Sequence, residues 1–208
     1  MTTAHPPRDV AFWDRVARKY AARPIGDTAN YERTLARVRA HLAPGDRILE
    51  IGCGTSSTAL LLAPDVAHVT ASDISAEMVA IGREKIAAAG VGNVTVVQGT
   101  PGDAALGSGP YDAVLAFNLL HLTRDPGDVS RKVRALLKPG GLFISKSACL
   151  GNRLWVLWPA LAAMRLIGKA PYVNVFTAAG LERRIADAGF EIIETGNYTS
   201  RFIVARKI

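Results

Sequence analysis

The sequence predicts a doubly wound α/β domain built on seven strands, and three observations predict it. Short apolar, β-rich runs alternate with helical patterns from residue 47 onward, as in a mostly parallel sheet covered by helices on both faces. The last two runs are separated by a turn so short that they must be antiparallel neighbours. The glycine-bearing turn Gly52-Cys53-Gly54-Thr55 directly follows the first buried run, at the strand end where open α/β sheets bind ligands. With 208 residues, 49% of them hydrophobic, the chain has material for one folded domain with a large core.

The elements follow in order. Ala11–Ala22 reads as a helix with apolar positions at Phe12, Val16 and Tyr20, stopped by Pro24. Thr28–Leu42 reads as a second amphipathic helix, N-capped by Thr28 and ended by Pro44-Gly45. Arg47–Ile51 is the first strand, and a helix over Ser57–Leu62 follows the glycine turn. Val66–Ser72 is the second strand. Ala76–Ala89 is the next helix, closed by Gly90. Val94–Gln98 and Tyr111–Phe117 are strands three and four. Asp125–Leu137 is helical, and Pro139-Gly140-Gly141 turns the chain into a fifth strand, Leu142–Ser147. After an apolar insertion, Thr177 caps a helix through Ala188. Phe190–Thr195 and Arg201–Ala205 are the last two strands, joined around Gly196-Asn197.

Charge is uneven along this frame. Residues 48–123 carry two basic and seven acidic side chains, whereas residues 1–47 carry nine basic against five acidic and residues 124–208 fourteen against six. The acidic middle suits a cationic ligand, and the basic flanks suit an anionic partner or a solvated arginine surface. Residues 1–8 lack the apolar core of a signal peptide, and no stretch reaches the roughly 18 apolar residues that a membrane span needs. A cytoplasmic protein with two reduced thiols, Cys53 and Cys149, is expected. No metal site is read from the sequence.

The turn carries the chemistry. Its glycines let the backbone approach a ligand closely, and the helix that follows offers free amides. Asp73 falls at the end of the second strand, about 20 residues on, where a carboxylate can accept both hydroxyl hydrogens of a ribose. A dinucleotide enzyme would favour a third glycine where Ser57 stands, and Glu50 puts a negative charge where phosphates would lie. Both features favour a nucleoside without phosphates over a nicotinamide dinucleotide.

Four segments, Ile48–Thr55, Ala71–Met78, Tyr111–Asn118 with Leu120-His121-Leu122, and Leu137–Ile144, resemble in order and spacing the class I S-adenosylmethionine-dependent methyltransferases. The resemblance is close over residues 44–147 and looser over the terminal strands. It implies a Rossmann-like sheet and S-adenosyl-L-methionine as cofactor. Gly52, Cys53 and Gly54 would then pass along the methionine part, with Glu50 supporting the site from below by bonding backbone amides or the cofactor ammonium through water. Asp73 would hold the ribose, Ile74 and Met78 would sandwich the adenine, and Asn118 would face the transferring methyl. His121 would sit at the mouth of the substrate site as the candidate general base. Departures fall at Ser56, where the family often has glycine, and at Thr100, where it usually has an acid; Asp103 could reach back to help Thr100. The absence of an Asn/Asp-Pro-Pro-Tyr sequence speaks against amino methylation of a DNA base or a glutamine.

Substrate choice is expected from the flanks. Residues 1–42 form a helical lid in which Trp13 and Tyr20 share a face, placing Tyr20 at the cofactor unless that face is simply core. Residues 148–175 form an apolar insertion around Leu154–Pro159, framed by Arg153, Arg165 and Lys169. It reads as a lid over a hydrophobic substrate such as a quinone precursor, as an interfacial helix on an anionic membrane, or as a packed cap or dimer contact. The expected acceptor is a small molecule, an apolar one among the readings open, methylated at O, N or C. Alternatives are an RNA or protein methyltransferase using the basic flanks, or a non-catalytic cofactor-binding scaffold. The aromatic residues are not interleaved with basic ones as a nucleic-acid platform requires.

Overall fold

The computed structural model describes residues 7–107, 109–151, 163–165, 167–197 and 200–208. Two helices, α1 (Pro7–Ala21) and α2 (Thr28–Arg39), precede the sheet. Then come β1 (Arg47–Ile51), α3 (Ser57–Leu62), β2 (His68–Asp73), α4 (Ala76–Ala89), β3 (Val94–Gln98) and β4 (Tyr111–Phe117). The chain continues through α5 (Pro126–Leu136), β5 (Leu137–Ser147), α6 (Ala178–Asp187), β6 (Phe190–Asn197) and β7 (Arg201–Lys207). The strands form one sheet in the order β3-β2-β1-β4-β5-β7-β6. β1 pairs in parallel with both β2 and β4, and β7 runs antiparallel to β5 and β6. The expected seven-stranded, doubly wound sheet with a terminal hairpin is therefore observed.

Alternation along the strands sorts the core into two layers. Ile48, Ile144 and Val204 turn to one face, where they meet Leu35 and Val38 of α2, Leu62 of α3 and Val79 and Ile86 of α4. Leu49, Ile51, Phe143 and Ile203 turn to the other, against Val133 of α5 and Leu181 and Ile185 of α6. Cys53 belongs to the first layer and Cys149 packs on the second, so the two thiols lie on opposite faces and both are free.

Several boundaries differ from the sequence reading, each for a local reason. The N-cap of α2 is Asp27, not Thr28: its carboxylate accepts from the Asn30 amide at 2.9 Å, and an anionic acceptor suits the positive end of a helix. β2 starts at His68 because residues Ala63–Asp65 form a 3-10 turn, and pairing begins only where His68 meets Arg47. Residues Pro139-Gly140-Gly141 are an irregularity inside β5 and not a turn before it, since Leu137 already pairs with Tyr111 and Leu142 with Ala113. Gly196 and Asn197 lie in the β6–β7 ladder opposite Phe202 and Arg201. Thr177 caps α6 as expected, its hydroxyl accepting from the Gly180 amide at 3.0 Å. The segment Leu154–Pro159 lies outside the described residues, and no described helix is long and apolar enough to cross a membrane.

Phe143 is fully buried with its ring 5.6 Å from that of Phe190. Phe143→Ala should destabilise the fold by about 3–5 kcal/mol in urea unfolding. A loss below about 1 kcal/mol would contradict this packing.

Candidate functional site

The strand order reverses between β1 and β4, which opens a crevice at their carboxyl ends. The glycine turn forms its floor. Gly52 and Gly54 have φ of +65° and +54°, and a Cβ on Gly52 would lie 2.7 Å from Leu119 Cδ1. The positive φ favours glycine at 52, and a Cβ there would also displace the Leu119 side chain. Ser56 takes a left-handed φ of +58°, a conformation that favours the glycine the resemblance leads one to expect there.

Asp73, at the end of β2, braces this turn. One carboxylate oxygen accepts from the Gly54 amide and the other from the Ser75 amide, both at 2.9 Å. Ser75 is the true cap of α4, its hydroxyl accepting from the Met78 amide at 3.1 Å. At the end of β4, Asn118 adopts a φ of +54°, and its amide donates to the Lys146 carbonyl at 2.7 Å. Asparagine tolerates this left-handed conformation better than other side chains, and such strain concentrates at functional strand ends.

These ends enclose a cleft of about 480 Å³. Tyr20, Glu50, Gly52, Cys53, Gly54, Asp73, Ile74, Met78, Thr100 and Asn118 all line it, so the sequence-predicted residues of the cofactor side are brought together. Asp103 does reach back: its carboxylate accepts from both the amide and the hydroxyl of Thr100, at 2.7 and 2.9 Å. α1 docks along α4 through Arg18, paired with Glu84 at 2.8 and 2.9 Å, and Asp14, which accepts from the Ser75 hydroxyl at 2.6 Å. Trp13 packs on Met78 and Ile81, while Tyr20 stands half-exposed at the cleft, 6.5 Å from the Trp13 ring. The shared face is therefore core at one end and cleft wall at the other.

His121 does not join this set. It sits in a 3-10 turn, Leu120–Leu122, and is not among the residues lining the cleft. Its carbonyl accepts from the Asn174 amide at 2.7 Å. Its Nδ1 is buried without a partner among the described residues, and burial pushes its pKa down. Its neighbours Leu119, Leu122 and Thr123 line the cleft instead, because a 3-10 turn directs successive side chains to different sides.

Residues 49–143 match the family description of a methyltransferase domain. The chain belongs to the class I S-adenosylmethionine-dependent methyltransferases. It is 36% identical over 141 residues to a ubiquinone biosynthesis O-methyltransferase of Xanthomonas axonopodis pv. citri, covering 67% of this chain and 55% of the relative. It is 31% identical over 146 residues to a demethylmenaquinone methyltransferase of Symbiobacterium thermophilum, covering 66% and 57%. The chain thus spans little more than half the length of these relatives. A solved methyltransferase of Methanosarcina mazei shares the fold with a TM-score of 0.67 at 21% identity, over 83% of this chain and 97% of that one.

Within this methyltransferase cleft the electrostatics are unusual. Glu50 is buried and its Oε2 has no hydrogen-bond partner among the described residues. Burial raises its carboxyl from 4.5 to about 8, against the opposing pull of the Ala59 backbone and the Thr58 hydroxyl. Burial likewise pushes the Cys53 thiol well up, so Cys53 serves as packing and as a backbone contact, its amide donating to the Ser72 carbonyl at 2.9 Å. Sequence reasoning missed Tyr31, Thr34, Lys85 and Lys146, which also line the cleft. Lys85 braces the turn, donating to Thr55 and Ser57 at 2.7 and 3.0 Å. Lys146 had a legible signal: it is the one charge in the otherwise apolar or small run Leu142–Ser147.

The raised Glu50 pKa has a signed consequence for stability. Between 4.5 and about 8 the folded protein keeps a proton that the unfolded chain releases. Ligand-free stability should therefore fall as pH rises through that window. Glu50→Gln should remove this part of the slope in urea titrations across the window; an unchanged slope would contradict the burial of an unpaired carboxyl.

Proposed function

We propose that this protein transfers the methyl group of S-adenosyl-L-methionine to a nucleophilic atom of a small, apolar acceptor. The observation that carries the reading is the Asp73 carboxylate, locked between the Gly54 and Ser75 amides inside the cleft. It retains acceptor capacity on both oxygens for ribose hydroxyls.

The residues present fit the cofactor. The orphaned Glu50 Oε2 supplies an anionic partner for an ammonium. Ile74 and Met78 offer apolar walls for an adenine, and Thr100, whose hydroxyl proton is committed to Asp103, keeps oxygen lone pairs for an adenine amine. Once bound, the cofactor supplies an electrophilic methyl on a good leaving group. The protein's task is then alignment of nucleophile, methyl and sulfur along one axis, which by itself removes several kcal/mol of barrier. Asn118, fixed by its backbone bond to β5, borders the acceptor side, with Trp13, Leu119, Leu122, Val129 and Tyr172 as an apolar enclosure. A relative acts in ubiquinone biosynthesis and another on demethylmenaquinone by name. Together with that enclosure they support an aromatic, quinone-type acceptor. His121, outside the lining, is assigned no proton transfer in this proposal.

Isothermal titration calorimetry with S-adenosylhomocysteine tests the reading. Wild type should bind it, and Asp73→Ala should weaken binding by about tenfold or more. Binding of NAD in its place, with no response to either adenosyl ligand, would sink the proposal. Because Glu50 must ionise against an ammonium, binding near neutral pH should also release a proton. That release would be read from the dependence of binding heat on buffer ionisation enthalpy, and Glu50→Gln should abolish it.

A further inference from the structure

Glu50 and Lys146 are buried ionisable side chains on the same face of β1 and β5. Glu50 sits near the end of β1, Lys146 near the end of β5, and Phe117 at the end of β4 pairs with Lys146, two residues further along than the partner of Glu50. Glu50 is 3% exposed and Lys146 8%. All three line the cleft. Two ladders separate β1 from β5, so the backbones are roughly 10 Å apart.

The two side chains do not neutralise each other. Glu50 Oε2 has no partner among the described residues. Lys146 Nζ donates to the Thr34 hydroxyl at 2.7 Å, and no described carboxylate lies within ion-pair distance of it. Asp27 attracts it from further off and Arg33 repels it. Burial keeps Glu50 protonated near neutral pH and works against the charge on Lys146. A ligand that brings an ammonium to one and a carboxylate to the other favours the charged form of both. Roughly 10 Å between strands leaves room for an α-amino acid group with a hydrogen bond at each end.

We propose that Glu50 and Lys146 form a clamp for the amino-acid end of the cofactor, with Lys146, steadied by Thr34, binding its carboxylate. The proposal rests on the cofactor reading above and assigns Lys146, a residue of β5, to the cofactor and not to the acceptor. Thr34 belongs to α2, and its hydroxyl also bonds the Asn30 carbonyl at 2.7 Å. The clamp therefore ties the second N-terminal helix to cofactor recognition.

The test compares S-adenosylhomocysteine with 5′-methylthioadenosine, which keeps the adenosyl thioether but lacks the amino-acid end. Wild type should bind the first at least about tenfold more tightly by calorimetry. Lys146→Met should weaken S-adenosylhomocysteine by about tenfold or more while leaving 5′-methylthioadenosine unchanged. The unchanged ligand doubles as the check that the variant is folded. Lys146→Arg should restore part of the discrimination. Equal affinity of Lys146→Met and wild type for S-adenosylhomocysteine, or an equal loss for both ligands, would overturn the clamp. Failure of wild type to bind either ligand would instead overturn the cofactor reading.

Discussion

The bonds from Gly54 and Ser75 to the Asp73 carboxylate are the constraint on which the site depends. They couple the turn after β1 to the start of α4, two pieces that share no secondary structure. Without that brace the turn would rest on backbone contacts such as the Cys53 amide to Ser72 and on the Lys85 bonds to Thr55 and Ser57. With it, Gly52, Asp73 and Met78 hold fixed positions before any ligand arrives. A preformed site loses less entropy on binding, which is the physical use of spending a buried carboxylate on backbone amides.

The same economy explains the two sides of the cleft. On the β2–β3 side every polar group of the proposed nucleoside site has a protein partner: Asp73 with the turn, Thr100 with Asp103, Ser75 with Asp14. On the β1–β5 side, Glu50 Oε2 has no partner among the described residues and Lys146 bonds a neutral hydroxyl. The first half is a rigid mould; in the clamp proposed above, the second half gains its ionic partners only from the ligand.

The N-terminal helices serve these halves separately. α1 is fastened to α4 by Arg18–Glu84 and Asp14–Ser75 and brings Trp13 and Tyr20 to the wall. α2 is fastened at its far end by Arg37 and His41, which both bond Glu194 of β6. It reaches the cleft through Tyr31 and Thr34, whose hydroxyls bond Thr58 and Lys146. The rim toward the acceptor is charged as well as apolar: Asp9 lies 3.8 and 4.0 Å from Arg124 and Arg165, and both guanidiniums stack 4.8 Å from the centre of Tyr172. Exposed pairs of this kind contribute little to stability, so they shape the entrance more than they secure the fold.

The sequence by itself determined the sheet, the order of its elements and the half of the site that is carried by short, local patterns. Burial on both faces leaves the runs of β1 and β4 almost wholly apolar, and Gly90 closes α4, so the bounds of these elements were legible to the residue. The glycine turn, Asp73 and Asn118 were legible because each sits at a strand end, where function in this fold concentrates. Boundaries slipped where the decisive partner was distant: pairing with Tyr111 drew β5 back to Leu137, and the ladder with β7 took in Gly196 and Asn197. The side chains of Lys146 and Thr34, 112 residues apart, and the exclusion of His121 from the cleft were decided only by the tertiary structure. No local pattern encodes which face of a turn meets a cavity, or which lysine loses its water when a helix packs over it.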